Sequence, residues 1–176
     1  MIEIKVITAD QKADINIPNE PFQLFGRMIP SYCDGKWTYK ILRFPQEKVT
    51  EMCFPDENYN YDTMADSIFL GAYDREQCVG LAILQPGFCK YMYLYDLKVN
   101  KSYRGQHIGA MLMQKSKEIA KQSGYCGIYT QGQDNNLGAC LFYFNTGFYI
   151  SGLDTNVYRH TKQEGKADII FYCETD

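Results

Sequence analysis

Apolar and polar residues alternate at the start of the chain. Ile2, Ile4 and Val6 face away from Glu3 and Lys5, which predicts a strand over residues 2–7. Two apolar runs, 68–73 and 78–85, flank the polar turn Asp74-Arg75-Glu76-Gln77 and predict a hairpin over 68–85. The next strand is expected from Tyr91 to Val99. Period two puts Tyr91, Tyr93, Tyr95, Leu97 and Val99 on one face and Asp96 on the other. The period then changes. Ile108, Met111, Leu112 and Ile119 recur at helical spacing, with Lys117, Glu118, Lys121 and Gln122 on the opposite side, so a helix is expected over 108–123 with Gly124 as its stop. A strand at 127–130 follows. Asp134-Asn135-Asn136 supplies cap chemistry for a helix at about 137–145, which Gly147 ends. Residues 148–151 and 168–173 read as the final strands, around a polar excursion at 161–166.

The region before residue 68 is less periodic. Pro18, Pro21 and Pro30 divide it, and one or two short helices are expected between Phe22 and Tyr32. Residues 37–44 read as extended, 47–53 as a helical turn and 55–61 as a tyrosine-rich loop. Three antiparallel strands followed by a helix predict an α/β (α+β) chain with a mixed sheet. At 176 residues, with no repeat or linker, a single domain is expected over 1–176.

Charge narrows the function. The net charge is −3 and no basic block occurs, which argues against nucleic acid as a partner and suits a cationic small molecule. Seven cysteines, an odd number without a Cys-x-x-Cys pair, predict reduced thiols in a cytoplasmic protein, mostly as small core residues. No apolar run approaches membrane-spanning length, so no membrane partner is expected. With only His107 and His160, no cluster has metal-ligand spacing.

The chemistry concentrates between the 91–99 strand and the following helix, at Arg104-Gly105-Gln106-His107-Ile108-Gly109-Ala110. A small-residue loop opening a helix leaves several backbone N–H groups pointing one way, reinforced by the helix dipole. Gly105 and Gly109 permit close approach, and Arg104 brings a positive charge. The loop is therefore a candidate anion site with a pyrophosphate as the expected guest.

This stretch resembles the GNAT superfamily of acetyl-coenzyme A-dependent N-acetyltransferases, whose loop pattern is Arg/Gln-x-x-Gly-x-Gly/Ala. His107 stands where Gly is usual, and His tolerates positive φ better than most residues. A second motif agrees: Asn136, Ala139, Phe142-Tyr143 and Gly147-Phe148 are similar to the superfamily's last helix and following strand. The resemblance implies a central twisted, mostly antiparallel sheet of six or seven strands with about four helices. It implies acetyl-CoA as co-substrate, with the cofactor-binding part at about 91–148. It further implies that Arg104 to Ala110 hold the pyrophosphate, that Leu97, Lys98 and Val99 align the pantetheine through their backbone, and that Asn136 and Ala139 line the cofactor. The Tyr143 phenol would then protonate the departing sulfur.

Many members carry a Glu on the central strand as the general base, and here tyrosines occupy those positions. Three sources remain open: an ordered water, a carboxylate from elsewhere, or an amine that binds neutral. Asp96 reads as a structural carboxylate.

Residues 19–22, Gly26, Ile29-Pro30, the run 133–143, Asp154-Thr155 and Tyr158 are similar to streptothricin acetyltransferases. That resemblance implies acetylation of the β-lysine amine of streptothricin. It places acceptor elements at about 15–62 and 150–170 and makes Glu20, Tyr93, Tyr95, Gln131 and Asp154 candidate substrate contacts. The tyrosine stripe is read equally as sheet packing. A protein or peptide amine remains an alternative acceptor, and a non-catalytic acyl-CoA-binding module the alternative class. A monomer or homodimer is expected.

Overall fold

The computed structural model describes residues 1–175. Its strands in chain order are β1 (Ile2–Val6), β2 (Phe22–Leu24), β3 (Gly26–Cys33), β4 (Lys36–Arg43), β5 (Thr50–Met52), β6 (Ile68–Asp74), β7 (Gln77–Gln85), β8 (Tyr91–Val99), β9 (Gly127–Gln133), β10 (Tyr149–Asp154) and β11 (Asp168–Glu174). Two α-helices, α1 (Ile108–Gln122) and α2 (Leu137–Asn145), and three 3₁₀ segments complete the described elements. Seven strands make the main sheet, in the order β1-β6-β7-β8-β9-β11-β10. The chain divides into two compact units.

The first unit holds residues 1–21, 53–128 and the C-terminal end. β1, β6, β7 and β8 pair antiparallel in succession. One sheet face is covered by α1: a Cβ on Gly80 would lie 3.3 Å from Leu112 and 3.4 Å from Ile108. The other face carries Ile7, Ile15, Phe69, Tyr73, Leu81 and Ile83, with Tyr59, Tyr61 and Met64 packed against them. α1 ends as its sequence requires. Gly124 takes φ +80°, its N–H bonds the Lys121 carbonyl, and the Tyr125 N–H reaches back to Ala120.

The strict alternation expected for β8 does not hold. Ile83 pairs with Asp96 and the next residue, Leu84, pairs with Leu94, so Tyr95 is an extra residue in a β-bulge. The bulge flips the facing of everything after it. Tyr93, Asp96 and Lys98 share the face of Gln85, Ile83 and Leu81, whereas Leu94, Leu97 and Val99 share the α1 face. Asp96 is therefore on the tyrosine side rather than opposite it.

The second unit holds residues 22–52 and 129–173. The helices expected between Phe22 and Tyr32 are strands. β3 and β4 form a hairpin whose two-residue turn, Asp34-Gly35, has φ of 50° and 77°. That turn geometry matches strand twist, and Asp-Gly is its usual sequence. The prolines do not oppose it, because Pro30 lies in a two-stranded sheet that leaves an edge free. The turn expected at 47–53 is shorter, a 3₁₀ segment at Gln46–Lys48, and Thr50–Met52 pairs with Phe22–Leu24 instead. β9 also runs three residues further than expected, to Gln133. Gly26 packs so closely that a Cβ there would sit 2.5 Å from Leu137 and 2.6 Å from the Leu42 carbonyl. Arg27 bonds Asp134 (2.7 Å) and the Gly165 carbonyl (2.7 Å), which ties β3 to the loop before β11.

The cysteines depart from expectation in one respect. All seven are free thiols, but only Cys78, Cys140 and Cys173 are buried, while Cys33, Cys53, Cys89 and Cys126 are exposed. Among the described residues no helix is long and apolar enough to cross a membrane.

Candidate active site

The strand-to-helix loop of the first unit is a 3₁₀ turn (Lys101–Tyr103) leading into α1. His107 is the residue before α1 and adopts the left-handed region, φ 61° and ψ 9°, without a capping hydrogen bond from its side chain. The His107 side chain thus leaves the first amides of α1 uncapped, as an anion site needs. Gly105 is also left-handed, φ +75°, and no atom lies within 4 Å of where its Cβ would be. An open glycine beside uncapped amides fits a pyrophosphate. Gln106 turns back to the Ser102 carbonyl (3.1 Å) and braces the loop.

The Arg104 guanidinium is engaged by backbone carbonyls. It donates to the carbonyls of Val99 (2.9 Å), Pro21 (2.7 Å) and Glu20 (3.2 Å). The Glu20 carboxylate accepts from the Lys101 amide. Residues 20–21 are thus stitched to both ends of the loop within the first unit.

At the β8 bulge a compact polar group forms that period-two reading could not assemble. Lys98 Nζ lies 3.2 Å from Asp96 Oδ2 and 3.1 Å from Glu57 Oε2. The Tyr59 hydroxyl donates to the same Asp96 oxygen (3.1 Å). Burial pushes the Asp96 carboxyl above its ordinary value, and Lys98 works against that shift. Burial raises the Tyr59 phenol too, reinforced by the charge of Asp96. Tyr95 is 45% exposed and lies edge-on to both Tyr59 (5.9 Å) and Tyr93 (6.0 Å). The tyrosines expected to line a substrate therefore lead to a carboxylate.

In the second unit, Asn136 caps α2 by accepting the Ala139 amide (3.2 Å). Tyr143 lies two turns further on and is 9% exposed, its ring 5.1 Å from Phe171 and 5.3 Å from Phe148. Asp154 accepts the amides of Asn156 (2.8 Å) and Val157 (3.1 Å), and Gln131 is exposed on β9. Tyr158 donates to Asp168 (2.7 Å), whose carboxyl is raised by burial. Burial also pushes the Tyr158 phenol up to about 12.

Residues 37–148 match the model of the acetyltransferase (GNAT) family. The chain belongs to the GNAT family. Its relatives include streptothricin acetyltransferase A of Bacillus subtilis (strain 168), 33% identical over 159 residues, which covers 90% of this chain and 92% of that one. A crystal structure of a candidate streptothricin acetyltransferase from Bacillus anthracis str. Ames, in complex with acetyl coenzyme A, superposes with a TM-score of 0.87 at 25% identity, covering 100% and 99% of the two chains. Nourseothricin acetyltransferase shares the fold, with a TM-score of 0.81 at 20% identity over 99% of each chain. This GNAT chain is an N-acetyltransferase with acetyl-CoA as its co-substrate.

Sequence patterning did not bring Asp96, Glu57 and Tyr59 together. Glu57 and Tyr59 lie in an irregular loop, and Asp96 is misassigned until the bulge is seen.

Proposed function

We propose that this acetyltransferase acts on a primary amine of a small cationic acceptor, with the β-lysine amine of streptothricin as the leading candidate. The observation that carries the reading is the 33% identity to a named streptothricin acetyltransferase over nine-tenths of the chain. The tyrosines and carboxylate at the β8 bulge support it, because aromatic faces and a carboxylate attract an ammonium group.

Bound acetyl-CoA supplies an activated thioester carbonyl. In this reading the amides from Gly105 to Ala110 hold the diphosphate at the positive end of α1. The backbone of Leu97, Lys98 and Val99 aligns the pantetheine arm, as an added strand would pair. An amide near Val99 donates to the carbonyl oxygen as negative charge develops there. The ammonium proton passes through water to Asp96, whose raised carboxyl can hold it. Tyr143 donates its phenolic proton to the departing sulfur. Glu20 and Asp154 then act on the acceptor side as carboxylates that order loops.

The test is thiol release from acetyl-CoA with streptothricin, lysine, linear polyamines and peptides. Streptothricin is expected to give the highest kcat/KM, and Asp96→Asn to lower it by about 10²-fold. A peptide turned over faster than every small amine would replace this reading with a protein-acetylating one.

A further inference from the structure

The polar group at the β8 bulge has the composition of an ammonium-binding site, and an ammonium already sits in it. Lys98 Nζ meets Glu57 Oε2 at 3.1 Å, Asp96 Oδ2 at 3.2 Å and Asn19 Oδ1 at 3.5 Å, and its charge lies 5.4 Å from the centroid of the Tyr59 ring. The surrounding groups are held in place independently of Lys98. Asn19 Nδ2 donates to the same Glu57 oxygen (2.8 Å) and to the Pro55 carbonyl (2.8 Å). The Asn19 amide donates to Asp56 (2.6 Å), and the Tyr59 amide to Asn16 (2.8 Å). The Lys98 side chain is only 11% exposed, against 20% for Asp96 and 38% for Glu57. The ammonium is therefore mostly withdrawn from water and enclosed by two carboxylates, an amide oxygen and an aromatic face.

Charge counting gives this arrangement a consequence for substrate choice. The groups that touch the ammonium are two carboxylates against one cation, a net negative charge that the nearby Asp56 carboxylate on the Asn19 amide increases. An amine approaching along the exposed Tyr95 therefore meets a net attraction whose innermost place Lys98 already fills. A second ammonium a few ångströms from the first would be repelled by Lys98 and would find its place taken. A desolvated like charge is an effective means of rejecting an unwanted ligand.

We propose that Lys98 is a specificity-determining residue: its ammonium occupies a built ammonium site at the β8 bulge and so disfavours acceptors with two closely spaced ammonium groups. The inference rests on the acceptor reaching the bulge, as in the proposed function. The proposed function alone does not require this role, because the deciding side chain is itself a cation beside a site for cationic acceptors. Lys98 acts here through its side chain, whereas the alignment assigned to residues 97–99 is a main-chain role.

The experiment pairs Lys98→Met, which retains an unbranched stem against Tyr59, with Lys98→Ala, which empties the site. With acetyl-CoA saturating, kcat/KM is measured for propylamine, 1,3-diaminopropane and cadaverine. Lys98→Met is expected to raise the ratio of 1,3-diaminopropane to propylamine by about tenfold, through KM, the change expected from removing one close like charge. An unchanged ratio overturns the proposal. The thermal midpoint of Lys98→Ala, followed with methylammonium chloride against equal sodium chloride, gives a readout that needs no turnover. A rise with methylammonium in the variant but not in the wild type supports a built ammonium site, and equal responses to the two salts contradict it. Turnover failing for every amine while the methylammonium effect persists would overturn the acceptor reading and with it the specificity role, leaving the ammonium site itself standing.

Discussion

Arg104 donates its Nε–H to the carbonyl of Val99 at 2.9 Å, which joins the end of β8 to the loop that opens α1. The same guanidinium reaches the Pro21 carbonyl at 2.7 Å and the Glu20 carbonyl at 3.2 Å. Three carbonyls converge on one planar fork. A lysine brings the same charge but a single rotating donor head that cannot reproduce that fork. Arg104→Lys and Arg104→Gln are therefore expected to lose stability by similar amounts, about 1–3 kcal/mol, and to weaken acetyl-CoA binding together. Urea unfolding and calorimetry check this. Full recovery by lysine would mean that charge, not the fork, is what the loop uses.

His107 sits at φ 61° immediately before α1. A left-handed backbone costs a side-chain-bearing residue roughly 1–2 kcal/mol, and glycine pays none of it. His107→Gly is expected to stabilise the protein by up to about 1 kcal/mol while leaving acetyl-CoA affinity within about twofold, because the proposed contacts are main-chain. His107→Val should destabilise. Denaturant midpoints and titration with acetyl-CoA decide both.

Tyr143→Phe removes one oxygen from a ring held by Phe148 and Phe171. If the phenol protonates the leaving sulfur, kcat falls about 10²-fold with KM for acetyl-CoA nearly constant. Stopped-assay thiol release measures it, and an unchanged kcat would remove Tyr143 from the chemistry.

Asp168 gives a pH signature. Burial raises its carboxyl above the ordinary value, although the Tyr158 hydroxyl opposes the shift. The folded protein then holds a proton that the unfolded chain has already released. Its contribution to stability is fully present below the ordinary carboxylate pKa and declines as pH rises through the raised one. Asp168→Asn should flatten that decline. Tyr158→Phe, by removing a donor to the charged form, should extend it to higher pH. Urea midpoints across about pH 4–8 resolve the two slopes.

Much of the main sheet was legible because its signals are local. The Asp74–Gln77 turn, the helical spacing of Ile108, Leu112 and Ile119, and Gly124 each act within a few residues. The loop from Arg104 to Ala110 was legible for the same reason. The bulge was not: one extra residue at Tyr95 leaves the local alternation looking intact while moving Asp96 to the other face. The β3–β4 hairpin was hidden by the weight given to prolines, although Asp34-Gly35 carried the turn signal. Nothing periodic links Glu57 and Tyr59 to Lys98 across about forty residues, so that group becomes visible only with the fold.

The proposed mechanism depends on main-chain amides gripping the diphosphate of acetyl-CoA. Amide proton–nitrogen spectra of the labelled protein, titrated with acetyl-CoA, test this most directly. Gly105, Gln106, Gly109 and Ala110 are expected to shift furthest. Saturable binding that leaves those four resonances in place would contradict it.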